Sequence, residues 1–126
     1  MRHMHTFVSG LFGFLLAGFT AFAETPSDLQ LFLLIGQSNM AGRGRVTPAD
    51  AQTNPRIFML DKAGAWVPAK DPVHFDKPTI AGVGLCSEFA RCVIAQDPAA
   101  KVGLVPCAFG GTSLDQWKPG SALYTN

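Results

Sequence analysis

Ser38 is the residue with the clearest potential for covalent chemistry. It lies in LFLLIGQSNMAGRG, from Leu31 to Gly44. Five apolar residues there stop at Gly36. Gln37, Ser38 and Asn39 follow, and then Gly42 and Gly44. A serine just past a buried strand, at the start of a helix, sits among that helix's free N–H groups and its positive dipole end. The N–H of Ser38 can then point at a developing oxyanion. Gly36 and Gly42 let the backbone approach a substrate closely. The hydroxyl needs a base, ordinarily a histidine held by a carboxylate. A serine in such a turn also serves as a plain turn or cap residue, and from these residues alone both readings stand.

Other residues set limits on that chemistry. The spacing is not the G-x-S-x-G elbow, because the fifth position of GQSNM is Met40. It is not a phosphate loop, because no G-K-[ST] follows. GVG, Gly82–Gly84, leads into a helix and offers a second place for an exposed N–H donor. GGTS, Gly110–Ser113, offers a third. Ser113 could compete as a nucleophile, but with Asp115 in the first turn a capping role is simpler. Trp117 either packs or stacks on a sugar ring. Arg43 and Arg45 read as solvated loop charges, so they do not argue for an acidic sugar. His74, in DPVHF, reads as a solvated loop histidine; no carboxylate partner marks it as a base.

The elements that would position these residues follow from hydrophobic patterning. Gln30–Ile35 is a continuous apolar run bounded by glycine, which predicts a strand buried on both faces. Arg56–Asp61 predicts a second strand, and AWVPA after a KAG turn predicts the other arm of a hairpin. Asp71–Gly84 is a long loop. Leu85–Gln96 predicts the clearest helix, with Leu85, Phe89, Cys92, Val93 and Gln96 at helical spacing and a stop at Asp97-Pro98. Lys101–Phe109 is another mostly apolar strand. Strands alternating with helices predict an α/β layer fold with a parallel sheet. Sites in such sheets form beyond the C-terminal ends of the strands. The turns after Ile35 and Phe109 both lie at that edge. They meet if their strands are neighbours.

Composition narrows the class. Of 126 residues, the first 23 read as a secretory signal: a weakly basic start, the apolar run Phe7–Thr20, and small residues at the cleavage positions in Ala21-Phe22-Ala23. The run is short for a spanning helix of ~20 residues. Cleavage after Ala23 makes the product secreted or periplasmic, with no membrane contact beyond the signal. Residues 24–126 form one small domain with nine acidic and nine basic residues. No basic patch suggests nucleic acid. Cys86, Cys92 and Cys107 leave two alternatives. One is a disulfide from Cys107 to either of the others, and the other is three buried thiols. The histidine and cysteine pattern does not suggest a metal site. Oligomeric state is left open.

GQSNMAGRG after an apolar strand, GVG before a helix, and GGTSLDQW followed by GSALY together resemble the sialate O-acetylesterase-like domain. This is carbohydrate esterase family six, within the SGNH (GDSL-type) hydrolases. The resemblance runs from about Leu31 to Tyr124. It implies a flavodoxin-like three-layer α/β/α fold and a serine esterase, without cofactor, that removes acetyl groups from sugars. By position, Ser38 is then the nucleophile and one oxyanion donor, and Gly84 is the second donor. Gln37, Asn39, Gly110, Gly111, Thr112 and Ser113 line the substrate pocket. The family pattern has proline and glycine after GVG, where this chain has Leu85 and Cys86.

Family members also carry a QGE segment and, near their C-terminus, an Asp-x-x-His pair that supplies the base. Both are expected beyond Asn126. Residues 24–126 are therefore expected to be the N-terminal portion of such a domain, with an incomplete fold and little activity alone. The alternative is a catalytically inactive remnant or a carbohydrate-binding module.

Overall fold

The computed structural model describes residues 26–125. Residues 1–23, expected to be an export signal, lie outside the described residues. Strand β1 spans Leu29–Gly36, followed by a single helical turn, α1, at Ser38–Ala41. Strands β2, Ile57–Leu60, and β3, Trp66–Pro68, form the hairpin expected around Gly64. Helix α2 spans Cys86–Gln96 and strand β4 spans Lys101–Ala108. A 3₁₀ turn at Leu114–Trp117 and a short helix α3 at Ala122–Thr125 close the described chain.

The four strands form one sheet in the order β1-β4-β2-β3. β4 runs parallel to both β1 and β2, while β3 is antiparallel to β2. The architecture is the expected mixed α/β class with a mainly parallel sheet. The described residues supply four strands, against about five in a flavodoxin-like sheet. β1 pairs with β4 along its whole length, from Leu29 opposite Lys101 to Gly36 opposite Ala108. Both strands thus end at one level, and Phe109 N–H donates to Gly36 O at 2.9 Å. This register places the two glycine turns side by side. Pro106 sits in β4 beyond the stretch paired to β2, where losing a ladder donor costs least.

One face of the sheet carries the core. Leu34, Ile57, Val102 and Leu104 pack with Cys86, Ala90 and Ile94 of α2 and with Ala69, Val73 and Ala100. The helix is where the pattern predicts it, but its buried face is shifted. Cys86, Ser87, Ala90 and Ile94 face inward, while Leu85 and Phe89 are 49% and 38% exposed. Small side chains at 86, 87 and 90 let the helix sit close to the sheet. Phe89 instead covers Phe32, edge to face at 4.9 Å. Arg56 fixes the far end of α2, donating to the carbonyls of Ile94, Asp97, Pro98 and Ala100 at 2.8–3.4 Å. The Arg56 cation satisfies the last carbonyls at the negative end of α2, and Pro98 bars the helix from continuing past Asp97. On the opposite face, Leu31, Leu33 and Ile35 are 62%, 60% and 47% exposed. β1 is therefore not covered on both sides by the described residues.

Candidate active site

The site is built from three chain segments that meet at the C-terminal ends of β1 and β4. The first is the turn after β1. Gln37 has extended backbone angles, and the chain then winds into α1, with Ala41 N–H bonded to Gln37 O at 2.9 Å. Ser38 is the first helical residue and is half-buried; Gln37 and Asn39 are exposed. Among the described residues the Ser38 hydroxyl has no hydrogen-bond partner, and its N–H donates to no backbone carbonyl. Both groups are thus available to a ligand.

The second segment is GVG. Gly44 and Val83 exchange two hydrogen bonds of 2.9 Å, and Gly82 N–H donates to Gly42 O at 3.2 Å. Gly42 has φ +83, and a Cβ there would lie 2.5 Å from Gly82 O and 2.6 Å from Gly84 N. The two backbones lie flat against each other, and only glycine permits it. A Cβ on Gly84 would be 3.1 Å from Gly42 Cα and 3.2 Å from Met40 O. Gly84 therefore abuts the turn that bears Ser38. Its N–H also donates to no backbone carbonyl among the described residues.

The third segment is the turn after β4. Gly110 is buried, and Gly111 has φ +84. Thr112 Oγ1 donates to Phe109 O at 2.8 Å and accepts from the Trp117 indole N–H at 3.0 Å. Trp117 is half-buried and bounds an apolar cavity of about 340 Å³ with Phe75, Cys107 and Phe109. Ser113 caps the 3₁₀ turn, its N–H bonded to Gln116 Oε1 at 2.8 Å. That is the capping role expected for it, and it leaves Ser38 as the serine with an unengaged hydroxyl in these turns.

Asp76 joins the first and third segments and was not singled out from the sequence. Its side chain is 1% exposed. Oδ2 accepts from Arg43 Nη2 at 2.6 Å and from Gly110 N–H at 2.8 Å, and Oδ1 accepts from Arg43 Nη1 at 3.3 Å. Burial opposes the charge on Asp76, but Arg43 and the N–H groups of Gly110 and Lys77 outweigh it and hold its pKa below the usual value. Arg43 is thus not the solvated loop charge expected of it. A charged pair inside a glycine turn and a proline loop, 33 residues apart, was the signal available.

His74 also departs from expectation. It is 2% exposed rather than solvated. Nε2 lies 3.3 Å from Leu34 O, so Nε2–H donates and Nδ1 faces Cys86 Sγ at 4.0 Å. Burial lowers its pKa, against the opposing pull of the Leu34 carbonyl and of Asp76. A neutral imidazole committed to the β1 backbone beneath α1 is not a base for Ser38. The core excludes solvent around Cys86, and burial, with the negative Asp71 beside it, pushes that thiol up to about 11. Neither carboxylate oxygen of Asp71 has a partner among the described residues. None of the three cysteines is in a disulfide; Cys86 is buried, Cys107 half-buried and Cys92 exposed. The three-buried-thiol reading thus holds fully for Cys86 alone. Among the described residues no group of three or more His, Cys, Asp or Glu side chains converges as a metal site.

A parallel sheet that delivers a free serine and two glycine turns to one edge defines the α/β class whose sites lie beyond the strand ends. The family model described as "Carbohydrate esterase, sialic acid-specific acetylesterase" matches residues 28–126, and the chain belongs to this carbohydrate esterase family. It is 38% identical over 113 residues to an Arabidopsis thaliana protein named "Probable carbohydrate esterase", covering 75% of this chain and 44% of that protein. It is also similar to an X-ray structure of an Arabidopsis thaliana protein at 1.6 Å resolution. There the TM-score is 0.70 and the identity 35%, covering 79% of this chain and 48% of the other. The chain thus spans about half the length of the relatives it matches.

Proposed function

We propose that this chain carries the nucleophile side of an acetylesterase site that removes O-acetyl groups from carbohydrates. The observation that carries this reading is Ser38 itself. Its hydroxyl and N–H are both unengaged at a helix start, against a glycine whose N–H is also unengaged. Membership of the carbohydrate esterase family supports it.

In this reading Ser38 Oγ attacks the acetyl carbonyl carbon. The carbonyl oxygen gathers negative charge and accepts hydrogen bonds from the N–H groups of Ser38 and Gly84. The sugar oxygen leaves with a proton, and water then releases acetate from the acetylated serine. Gln37, Asn39 and the Gly110–Ser113 turn bound the substrate. Arg43 is committed to Asp76 and does not serve an acidic sugar. The Ser38 proton needs an acceptor. His74, the one histidine among the described residues, is buried and hydrogen-bonded elsewhere. From residues 24–126 alone we therefore expect only the oxyanion and binding contribution, on the order of 10³–10⁴ over water at most.

The test is acetate release from acetylated sugars and p-nitrophenyl acetate, wild type against Ser38→Ala. Because the oxyanion and binding contribution survives loss of the serine, the deciding readout is the covalent adduct: an acetyl group on Ser38, found by mass spectrometry in wild type and absent from Ser38→Ala, supports the reading. No acetyl adduct on Ser38 favours the binding-module alternative. Export, expected from residues 1–23, is tested by N-terminal sequencing of the expressed product, which should begin at Glu24.

A further inference from the structure

Three candidates outside the reacting atoms invite a role. The open face of β1 is apolar, but nothing on it specifies a partner's chemistry. The buried cluster of Asp71, His74 and Cys86 is closed to solvent. The third, the Asp76 carboxylate, binds two separate walls of the site at once.

Asp76 comes from the 71–84 loop. Arg43 belongs to the turn that bears Ser38, and Gly110 begins the turn after β4. The same guanidinium donates to Gly42 O at 2.7 Å. Gly42 is the residue stacked on Gly82–Gly84. A side chain at Gly110 would collide with the Arg43 guanidinium, so the fit at this junction is tight. One carboxylate therefore spans a chain of contacts from the Gly110 turn, through Arg43 and Gly42, to the backbone beside Gly84. Charged hydrogen bonds are short and directional, and a two-pronged arginine–carboxylate pair fixes orientation as well as distance.

We propose that Asp76 is a positioning residue for this site, acting through Arg43 and Gly110 to set the separation between the Ser38 turn and the Gly110–Ser113 wall. The assignment rests on the esterase reading for its purpose, but the geometry it asserts is testable without catalysis. The titratable and charged groups facing Asp76 are Arg43, from the first turn, and His74, from its own loop. Arg43 holds the carboxylate ionised. Asparagine at this position keeps the shape and loses the charge, which leaves a partly buried guanidinium without its partner.

The experiment is amide hydrogen exchange with mass spectrometry on the full chain, comparing wild type, Asp76→Asn and Arg43→Lys. In Asp76→Asn, residues 36–45 and 108–114 both exchange faster, by about ten-fold or more, while β2 and β3 are unchanged. In wild type the two turns lose protection together as the pH falls below the ordinary carboxylate range. In Asp76→Asn that joint pH step is absent. Arg43→Lys loosens the first turn more than the second, because the Gly110 bond is intact. If Asp76→Asn does not fold, the wild-type acid series and Arg43→Lys decide the matter. Faster exchange confined to residues 71–84, or spread evenly over the sheet, overturns the assignment. Labelling of Ser38 by a fluorophosphonate, run on the same samples, slows in Asp76→Asn. If Ser38 labels in neither protein, the esterase reading fails and the exchange result stands separately.

Discussion

His74 Nε2 lies 3.3 Å from the carbonyl oxygen of Leu34, four residues before Ser38. The imidazole is a buried support for the end of β1. Replacing it with glutamine preserves a donor of similar reach. His74→Gln is therefore expected to leave any Ser38-dependent rate within about two-fold, whereas His74→Ala loses about 1–3 kcal/mol of stability from the orphaned carbonyl. A rate loss of several hundred-fold in a folded His74→Gln protein would mean that the histidine is catalytic after all.

Stability should also depend on pH through this residue. The folded-state pKa of His74 lies below its ordinary value of 6.5. The unfolded chain then takes up the proton first, so stability is full above that value and falls as the pH drops below it. Asp76 has the same sign further into acid: its contribution is present above the ordinary carboxylate range and is lost as the pH falls through its depressed folded value. Urea unfolding between neutral and acid pH should show the first step in wild type and not in His74→Gln. An identical profile in both proteins would remove His74 from this role.

The glycine junction can be probed with a matched pair. Gly42 and Gly64 both have positive φ, but a Cβ at Gly42 meets backbone at 2.5 Å while one at Gly64 meets nothing within 4 Å. Gly64→Ala carries only the conformational strain, about 1 kcal/mol, whereas Gly42→Ala adds a backbone collision and should cost at least about 3 kcal/mol. Equal destabilisation in chemical denaturation would show that the two segments are not stacked as described.

The exposed and buried leucines should separate as cleanly. Leu33 is 60% exposed and Leu104 is fully buried. Leu104→Ala is expected to cost about 2–5 kcal/mol, and Leu33→Lys less than about 0.5 kcal/mol. Leu33→Lys should also reduce concentration-dependent association in sedimentation, because the apolar face around Leu31, Leu33 and Ile35 is open. A large stability loss from Leu33→Lys would mean that this face is covered.

Much of the scaffold was legible because it is local. Glycine-bounded apolar runs marked β1 and β4, and their shared edge followed from the α/β rule that puts turns at strand ends. The helix was legible in extent but not in orientation, since its packing face is chosen by the small residues Cys86, Ser87 and Ala90 rather than by the largest apolar ones. The polar framework was not legible. Arg43 meets Asp76 across 33 positions, Gly110 meets Asp76 across 34, and His74 meets Leu34 across 40. No local spacing encodes such pairs; they exist only once β1 and β4 align. That also explains why Arg43 and His74 read as solvated although His74 is buried and Arg43 half-buried, whereas Arg45 is exposed as expected.

The most direct measurement is peptide mapping after exhaustive reaction with an alkyl fluorophosphonate. The free hydroxyl of Ser38, set among unengaged N–H groups, should take up a single label, slowly because no base engages it among the described residues, and Ser38→Ala should take up none. Label at Ser113, or an unmodified Ser38 in a folded protein, would contradict the assignment of Ser38 as the nucleophile.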